Sequence, residues 1–234
     1  DHRLQGICYV YARLEFDADA FPNGEPTITA IVKGKQVLNA NTQATEWTQN
    51  SAYILRDYLT SSYGLGVDAT EIDDTLFVAA ANICDENVSL SAGGTEKRYT
   101  TNGSFTTGSK PKDVIDALTR AMGGTIWYAQ GKWRVRAAAY VTPALTFTED
   151  DLLAGFTIST RHSRRDNYNI VRGTFVGSET NYQQSDFPQI KSQTFINADN
   201  GIESAIDLDL GFTDTNTRAQ RIAKIALFKN REQL

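Results

Sequence analysis

Two histidines, His2 and His162, are the only imidazoles in the 234 residues, so a histidine-based metal site or a Ser-His-Asp triad has almost nothing to build from. Arg161, Arg164 and Arg165 cluster around His162, a spacing that could hold a phosphate. Asp166 follows directly and no aromatic is interleaved for base stacking, so the plainer reading is a solvated or ion-paired loop. Cys8 and Cys84 have no CxxC partner and no neighbouring histidine, which argues against zinc and thiolate catalysis. Both sit among apolar neighbours; buried free thiols are the default expectation, with one bridge open if their elements meet. Thr148-Glu149-Asp150-Asp151 could supply acid-base carboxylates. The same run before Leu152-Leu153 is how a capping box and an acid-rich first turn look, and adjacent carboxylates on one short turn do not face each other across a substrate.

Other near-motifs resolve the same way. In NGSFTTGSKP, Gly103 and Gly108 have phosphate-loop separation, but Ser109 stands where the lysine belongs, so a loop leading into a helix is expected. Gly93-Gly94 lacks Rossmann spacing and reads as a turn. The 28 acidic residues offer many carboxylate pairings, and only separation in space decides glycosidase chemistry. The sequons at Asn87 and Asn102 carry meaning only in a secreted eukaryotic chain. Trp127 and Trp133 could stack on sugars, although cross-strand packing is the commoner use of hairpin tryptophans. No residue is therefore assigned a catalytic, cofactor-binding or metal-binding role.

Composition sets outer limits. At 41% hydrophobic and 22% charged, the chain is ordinary globular material. A formal charge of −5 argues against a nucleic-acid binder, whose affinity rests on clustered Lys and Arg. No apolar run approaches the roughly 20 residues of a membrane span. The absence of an initial methionine, with a strand-like run opening almost at once, suggests a piece cut from a longer polypeptide.

The elements that would position these groups follow from periodicity. Residues 6–16 and 27–38 read as strands, the second turning at Lys33-Gly34-Lys35, with FPNGEP as a loop between them. Asn50 caps a helix with Ala52, Leu55, Tyr58 and Leu59 on one face, ending near Gly64 and Gly66. A second helix opens at Asp73 with Leu76, Phe77, Ala80 and Ile83 at helical spacing, and short strands fill Val88 to Phe105. Pro111 starts a third, with Val114, Ile115, Leu118, Ala121 and Met122 on one stripe, stopped by Gly123-Gly124. TIWYA and KWRVRA then pair about Gln130-Gly131 as a hairpin. FTIST, NIVRGTFV, IKSQTFI and SAIDLDL are strand-like. The last helix, from about Asp214, places Ala219, Ile222, Ala223 and Ala226 on one side and Arg218, Arg221 and Lys224 largely on the other, a basic face that is usually just solvated and could instead dock an acidic neighbour. This is an α+β chain with short-stranded mixed β domains and about four helices. Its expected divisions are a β-rich segment 1–45 that pairs with the later β region, an α+β subdomain 46–140 with the 125–137 hairpin, and a β-rich subdomain 141–234 closed by a helix.

The ordered series WTQNSAYILRDYLTSSYGLG (47–66), AAANICDE (79–86), RYTTNG (98–103), GGTIWYAQGKWRVRA, LTFTEDDL, SRRDNYNIVRGTF (163–175) and DFP (186–188) resembles the central tail-tip, or tail-hub, proteins of long-tailed phages and prophages. Within that family the series is similar to lambda-type host-specificity tip proteins. Where those often have Asn-Pro-Ala before the DYLT helix, this chain has Ser51 in the proline position. A polar cap followed by any helix former still starts a helix. The resemblance implies barrel-like domains and a non-enzymatic virion component at the distal end of the tail, a hub or baseplate-like platform for host attachment and DNA passage. It also implies a homotrimer in the full-length protein, contacts with tail tube and tape-measure proteins, and host contact through regions outside this chain. No cofactor, specific nucleic-acid binding or membrane span is expected, and synthesis would take place in the bacterial cytoplasm from a phage or prophage gene. Two alternatives are a receptor- or carbohydrate-binding module of the tip and a tail-associated cell-wall hydrolase.

Overall fold

A computed structural model describes residues 8–15, 17, 19–152, 155 and 166–232. The chain divides into two units, Asp1–Gly34 and Lys35–Leu234. In the first, the Asp17 carboxylate accepts from the amides of Asp19 and Ala20 at 2.9 and 3.1 Å, building the turn that leads into FPNGEP. The strands expected over 6–16 and 27–38 are absent from residues 8–15 and 27–36. Tyr9, Val10 and Tyr11 are all more than 60% exposed, so apolar alternation selects no buried face there, and among the described residues no partner strand completes a ladder.

The second unit opens with a hairpin of β1 (Val37–Asn39) and β2 (Ala44–Glu46). Helix α1 (Ser51–Thr60) starts where Asn50 accepts from the Ala52 amide, 3.1 Å. The same side chain donates to the Ala81 carbonyl and to Asp85, tying α1 to α2 (Asp74–Asp85), which Asp73 caps. Arg56, almost fully buried, reinforces the pair with a two-pronged bond to Asp74 at 2.6 and 3.1 Å. Leu55, Leu59, Phe77, Ala80 and Cys84 lie in the core cluster with these helices. After the short hairpin of β3 (Asn87–Ser89) and β4 (Thr95–Lys97), Pro111 occupies the first turn of α3 (Pro111–Arg120). Val114, Ile115 and Leu118 face inward, followed by Ala121 and Met122.

Strands β5 (Thr125–Ala129) and β6 (Lys132–Arg136) pair Ile126 with Val135 and Tyr128 with Trp133. Gln130 and Gly131 both take positive φ, 54° and 75°, the geometry a two-residue hairpin turn needs. A four-stranded sheet follows, of β7 (Ile170–Val176), β8 (Gln184–Asp186), β9 (Ile190–Lys191) and β10 (Ala205–Leu210). β10 runs parallel to β7 over six residues; β8 and β9 are antiparallel to it. IKSQTFI, expected as one strand, splits after Lys191. Ser192 accepts from the Phe195 amide and starts α4 (Gln193–Ala198), because a local cap outcompetes a ladder only two residues long. Helix α5 (Asn216–Glu232) packs Ala219, Ile222, Ala223 and Leu227 into the shared core.

The class is α+β, with five α-helices and small mixed sheets among the described residues. Among the described residues no sheet closes into a barrel; three sheets have only two strands. FTIST lies outside the described residues.

Candidate functional site

The densest polar constellation joins α5 to β4 and to the segment that follows it. Glu96, with a side chain only 10% exposed, accepts from Arg221 at 2.7 Å, from Thr217 at 2.8 Å and from Thr215 at 3.3 Å. Arg218, equally buried, lies 3.7 Å from Glu96 and donates to Asp214 at 2.7 Å and to the Lys97 carbonyl at 2.9 Å. Arg221 also reaches the Arg98 carbonyl, 2.8 Å. Asp214 is completed by Thr100 and Asn102, at 2.9 and 2.6 Å. Two guanidinium groups thus face two carboxylates whose oxygens are taken up by donors. Such a saturated cluster clasps helix to hairpin and leaves no carboxylate oriented for proton transfer.

This overturns the expectation of a solvated basic face on the last helix. Arg218 and Arg221 are drawn inward because Glu96, more than a hundred residues earlier in the chain, is folded against them. Only Lys224 stays exposed, its ammonium 5.9 Å from the Phe228 ring. Sequence spacing carries no trace of this pairing. Asp214 and Arg218, four residues apart, were its one local sign.

The other sequence candidates are scattered. Thr148 does cap a single 3₁₀ turn, its amide and hydroxyl donating to Asp151 at 2.8 and 3.0 Å. NGSFTTGSKP runs into α3, and Gly93-Gly94 turns the β3–β4 hairpin. The Tyr128 and Trp133 rings meet edge to face at 5.3 Å on one side of the β5–β6 hairpin, whereas Trp127, registered with Arg134, remains 36% exposed. The Asn102 amide of the second sequon is engaged with Asp214. His2, His162, Arg161, Arg164 and Arg165 lie outside the described residues. Among the described residues no group of three or more His, Cys, Asp or Glu could hold a metal ion.

Both cysteines are free, but Cys8 is exposed rather than buried, since residues 8–15 form no packed strand. Cys84 is fully buried on α2, and desolvation pushes its thiol up to about 12. Burial likewise raises the Tyr99 phenol to about 12, its hydroxyl donating to the Ala138 carbonyl at 2.7 Å. Neither group ionises near neutral pH.

Residues 110–232, just over half of the chain, match the family described as "Putative phage tail protein". The chain belongs to this phage tail protein family. It is also similar to the "Tip attachment protein J" of Escherichia phage SECphi27, 24% identical over 200 residues, covering 77% of this chain and 16% of that relative. The tail protein thus spans about a sixth of the length of the curated relative it matches. The family match takes in α3, the β5–β6 hairpin, the four-stranded sheet and α5, while Glu96 of the clasp stands before it.

The two thiols of the tail protein give a direct check of the packing. A shift of the Cys84 thiol from 9.0 to about 12 cuts its thiolate fraction by roughly three orders of magnitude, on top of steric exclusion. Titration with a thiol reagent near pH 8 should count one reactive cysteine in the native chain and two after denaturation. Two reactive thiols in the native chain would show that α2 is not packed as described.

Acid sensitivity can be assigned as well. The Asp207 carboxyl is held below its ordinary value by its hydrogen bond from Arg172, and Asp151 and Asp68 by backbone and hydroxyl bonds from Thr148 and Thr70. Folded values below the unfolded one mean that the stability they contribute is fully present above the unfolded value of 3.8 and is lost as pH falls through the folded values. All three are solvent-exposed, so each effect is small. NMR titration should place each midpoint below 3.8, and Asp207→Asn should reduce the stability lost below about pH 4.

Proposed function

We propose that this chain is a structural part of a phage or prophage tail tip, a hub or baseplate-like platform at the distal end of the tail that supports host attachment and DNA passage. The single observation that carries this reading is the likeness, over 77% of the chain, to a protein named for tip attachment. The physical character of the described residues agrees: the principal ionic cluster is saturated, the buried thiol and phenol are held neutral, and work by surfaces is what remains. On this reading the full-length protein is a homotrimer meeting tail tube and tape-measure proteins, with host contact made by regions outside this chain and no catalytic, cofactor or metal residue in it. A net charge of −5 suits a passage that DNA must cross without adhering.

Immunogold electron microscopy with antibody against this chain, on particles induced from the source organism, tests the proposal. Label confined to distal tail ends is the expected result. Unlabelled tails, with antigen soluble or on the cell wall, would refute it. One observation favours a second reading, a carbohydrate-binding surface of the tip: Trp127 is partly exposed beside Arg134 on the outer side of its hairpin. Trp127→Ala should then abolish glycan binding with the circular dichroism spectrum unchanged.

A further inference from the structure

Asn-Gly occurs three times in the chain, at Asn23-Gly24, Asn102-Gly103 and Asn200-Gly201. The pair is chemically labile, because glycine has no Cβ to shield its nitrogen, which can attack the side-chain carbonyl carbon of the asparagine before it. Attack needs a side chain free to swing toward the main chain and a backbone that brings the glycine nitrogen to the same side as Cβ. The three positions differ in both respects.

Asn102 is clamped. Its Nδ2 donates to Asp214 at 2.6 Å and its Oδ1 accepts from Gln49 at 2.9 Å, while its amide donates to the Phe212 carbonyl at 3.0 Å. The Phe212 ring also crowds Gly103, standing 2.6 Å from where a Cβ would be. Asn200 is held by its backbone. Its φ of 58° is left-handed geometry, in which the next nitrogen lies anti to Cβ and out of reach of the side chain. That nitrogen, of Gly201, donates to the Ile196 carbonyl at 2.8 Å in the turn that ends α4. Asn23 has neither restraint. It is exposed, its φ is not left-handed, and among the described residues its side chain has no hydrogen-bond partner. Nothing lies within 4 Å of a Cβ placed on Gly24. One turn bond, from the Gly24 amide to the Phe21 carbonyl at 3.1 Å, holds the Pro22-Asn23 corner, and residues 22–26 are all exposed, so opening it disturbs no packing.

We propose that Asn23 is a site of spontaneous modification, converting to aspartate and isoaspartate with water as the only co-reactant, while the fold preserves Asn102 and Asn200. The Gly24 nitrogen bonds to the side-chain carbonyl carbon of Asn23, the carbon–nitrogen bond of the carboxamide breaks, and the Gly24 amide proton leaves with that nitrogen as ammonia. The product is a five-membered succinimide. Water then opens the ring at one carbonyl or the other, giving aspartate, or isoaspartate with the main chain routed through the former side chain. Either product adds a negative charge at neutral pH to a chain whose formal charge is −5. The reaction does not depend on where the chain sits in a tail.

The test is peptide mapping by mass spectrometry of the full chain, held in mildly alkaline buffer, sampled over days and digested under acidic conditions. The peptide containing Asn23 is expected to show exchange of amide for acid, isoaspartate in excess, at least about ten-fold faster than the peptides containing Asn102 and Asn200. In urea the three rates should converge, because the restraints belong to the fold. Asn23→Gln should acidify far more slowly than the parent on isoelectric focusing. Equal rates in the native chain, a faster Asn102 or Asn200, a difference that persists in urea, or an Asn23→Gln chain that acidifies as fast as the parent would each overturn the proposal.

Discussion

Gly173→Ala is expected to unfold the four-stranded sheet. A Cβ at Gly173 would fall 1.9 Å from the Leu208 carbonyl oxygen and 2.7 Å from the carbon and nitrogen of the same residue, all of them backbone. Leu208 is the partner of Gly173 in the parallel β7–β10 register, so relief requires the two strands to separate across their six-residue pairing. The Gly173 carbonyl also accepts from the Phe187 amide at 3.1 Å, so movement of β7 away from β10 disturbs the β8 side as well. A flexible side chain could yield at small cost; a ladder cannot. The loss should exceed about 4 kcal/mol, in the range reserved for backbone strain and overpacking at a special position. Chemical denaturation, or recovery in the soluble fraction if the variant fails to fold, measures it. Gly108→Ala is the control, since nothing lies within 4 Å of a Cβ there; it should stay within about 0.5 kcal/mol of the parent. A Gly173→Ala variant as stable as that control would mean that β7 and β10 do not pair in this register.

The second large effect lies in the clasp. Glu96→Ala removes the only carboxylate within ion-pair distance of Arg221 among the described residues and one of the two facing Arg218, leaving guanidinium charge largely shielded from water. Breaking one side of a buried pair costs about 3 kcal/mol or more, most of it from the stranded charge rather than from the lost attraction. The double variant Glu96→Met with Arg221→Met should recover much of that loss, because the stranded charge goes with its partner. Urea denaturation should show these differences, and hydrogen exchange should show opening concentrated in the first turns of α5 and in β4. A loss below about 0.5 kcal/mol for Glu96→Ala would mark the pair as an ordinary solvated one.

Local chemistry was legible wherever a few neighbouring residues decide the outcome. Asn50 was readable as a cap, Asp73 as a helix start and Thr148 to Asp151 as a capping box because such side chains bond to amides two or three residues away, Asp151 reaching back to the Thr148 amide. Gln130-Gly131 was readable as a turn because only certain residues take positive φ in succession without penalty. The apolar faces of α1 and α3 followed from their 3.6-residue period, whereas α2 buries Phe77, Ala80, Ala81 and Cys84 with Leu76 and Ile83 only half-buried, and α5 buries Leu227 where Ala226 was expected. The ordered motif series led to the family that residues 110–232 match.

Reading failed where a residue's partner is remote or missing. The segments 8–15 and 27–36 have strand composition but no ladder, and composition states only a preference until another strand satisfies the backbone. Ser192 broke a seven-residue strand pattern because a side-chain cap and a short edge compete within a few residues. The parallel pairing of β7 with β10 spans a crossover that no local period encodes. What the sequence determined by itself was helices α1, α2, α3 and α5, the capping role of Asn50 and the β5–β6 hairpin turn, since each depends on residue type within one or two turns. Only the tertiary structure decided that Arg218 and Arg221 lie buried against Glu96, that Cys84 is sealed while Cys8 is exposed, and that Asn102 is clamped by Gln49 and Asp214 while Asn23 is exposed. Those outcomes depend on which distant side chains share a dielectric environment, and charge, burial and hydrogen bonding are properties of that shared space.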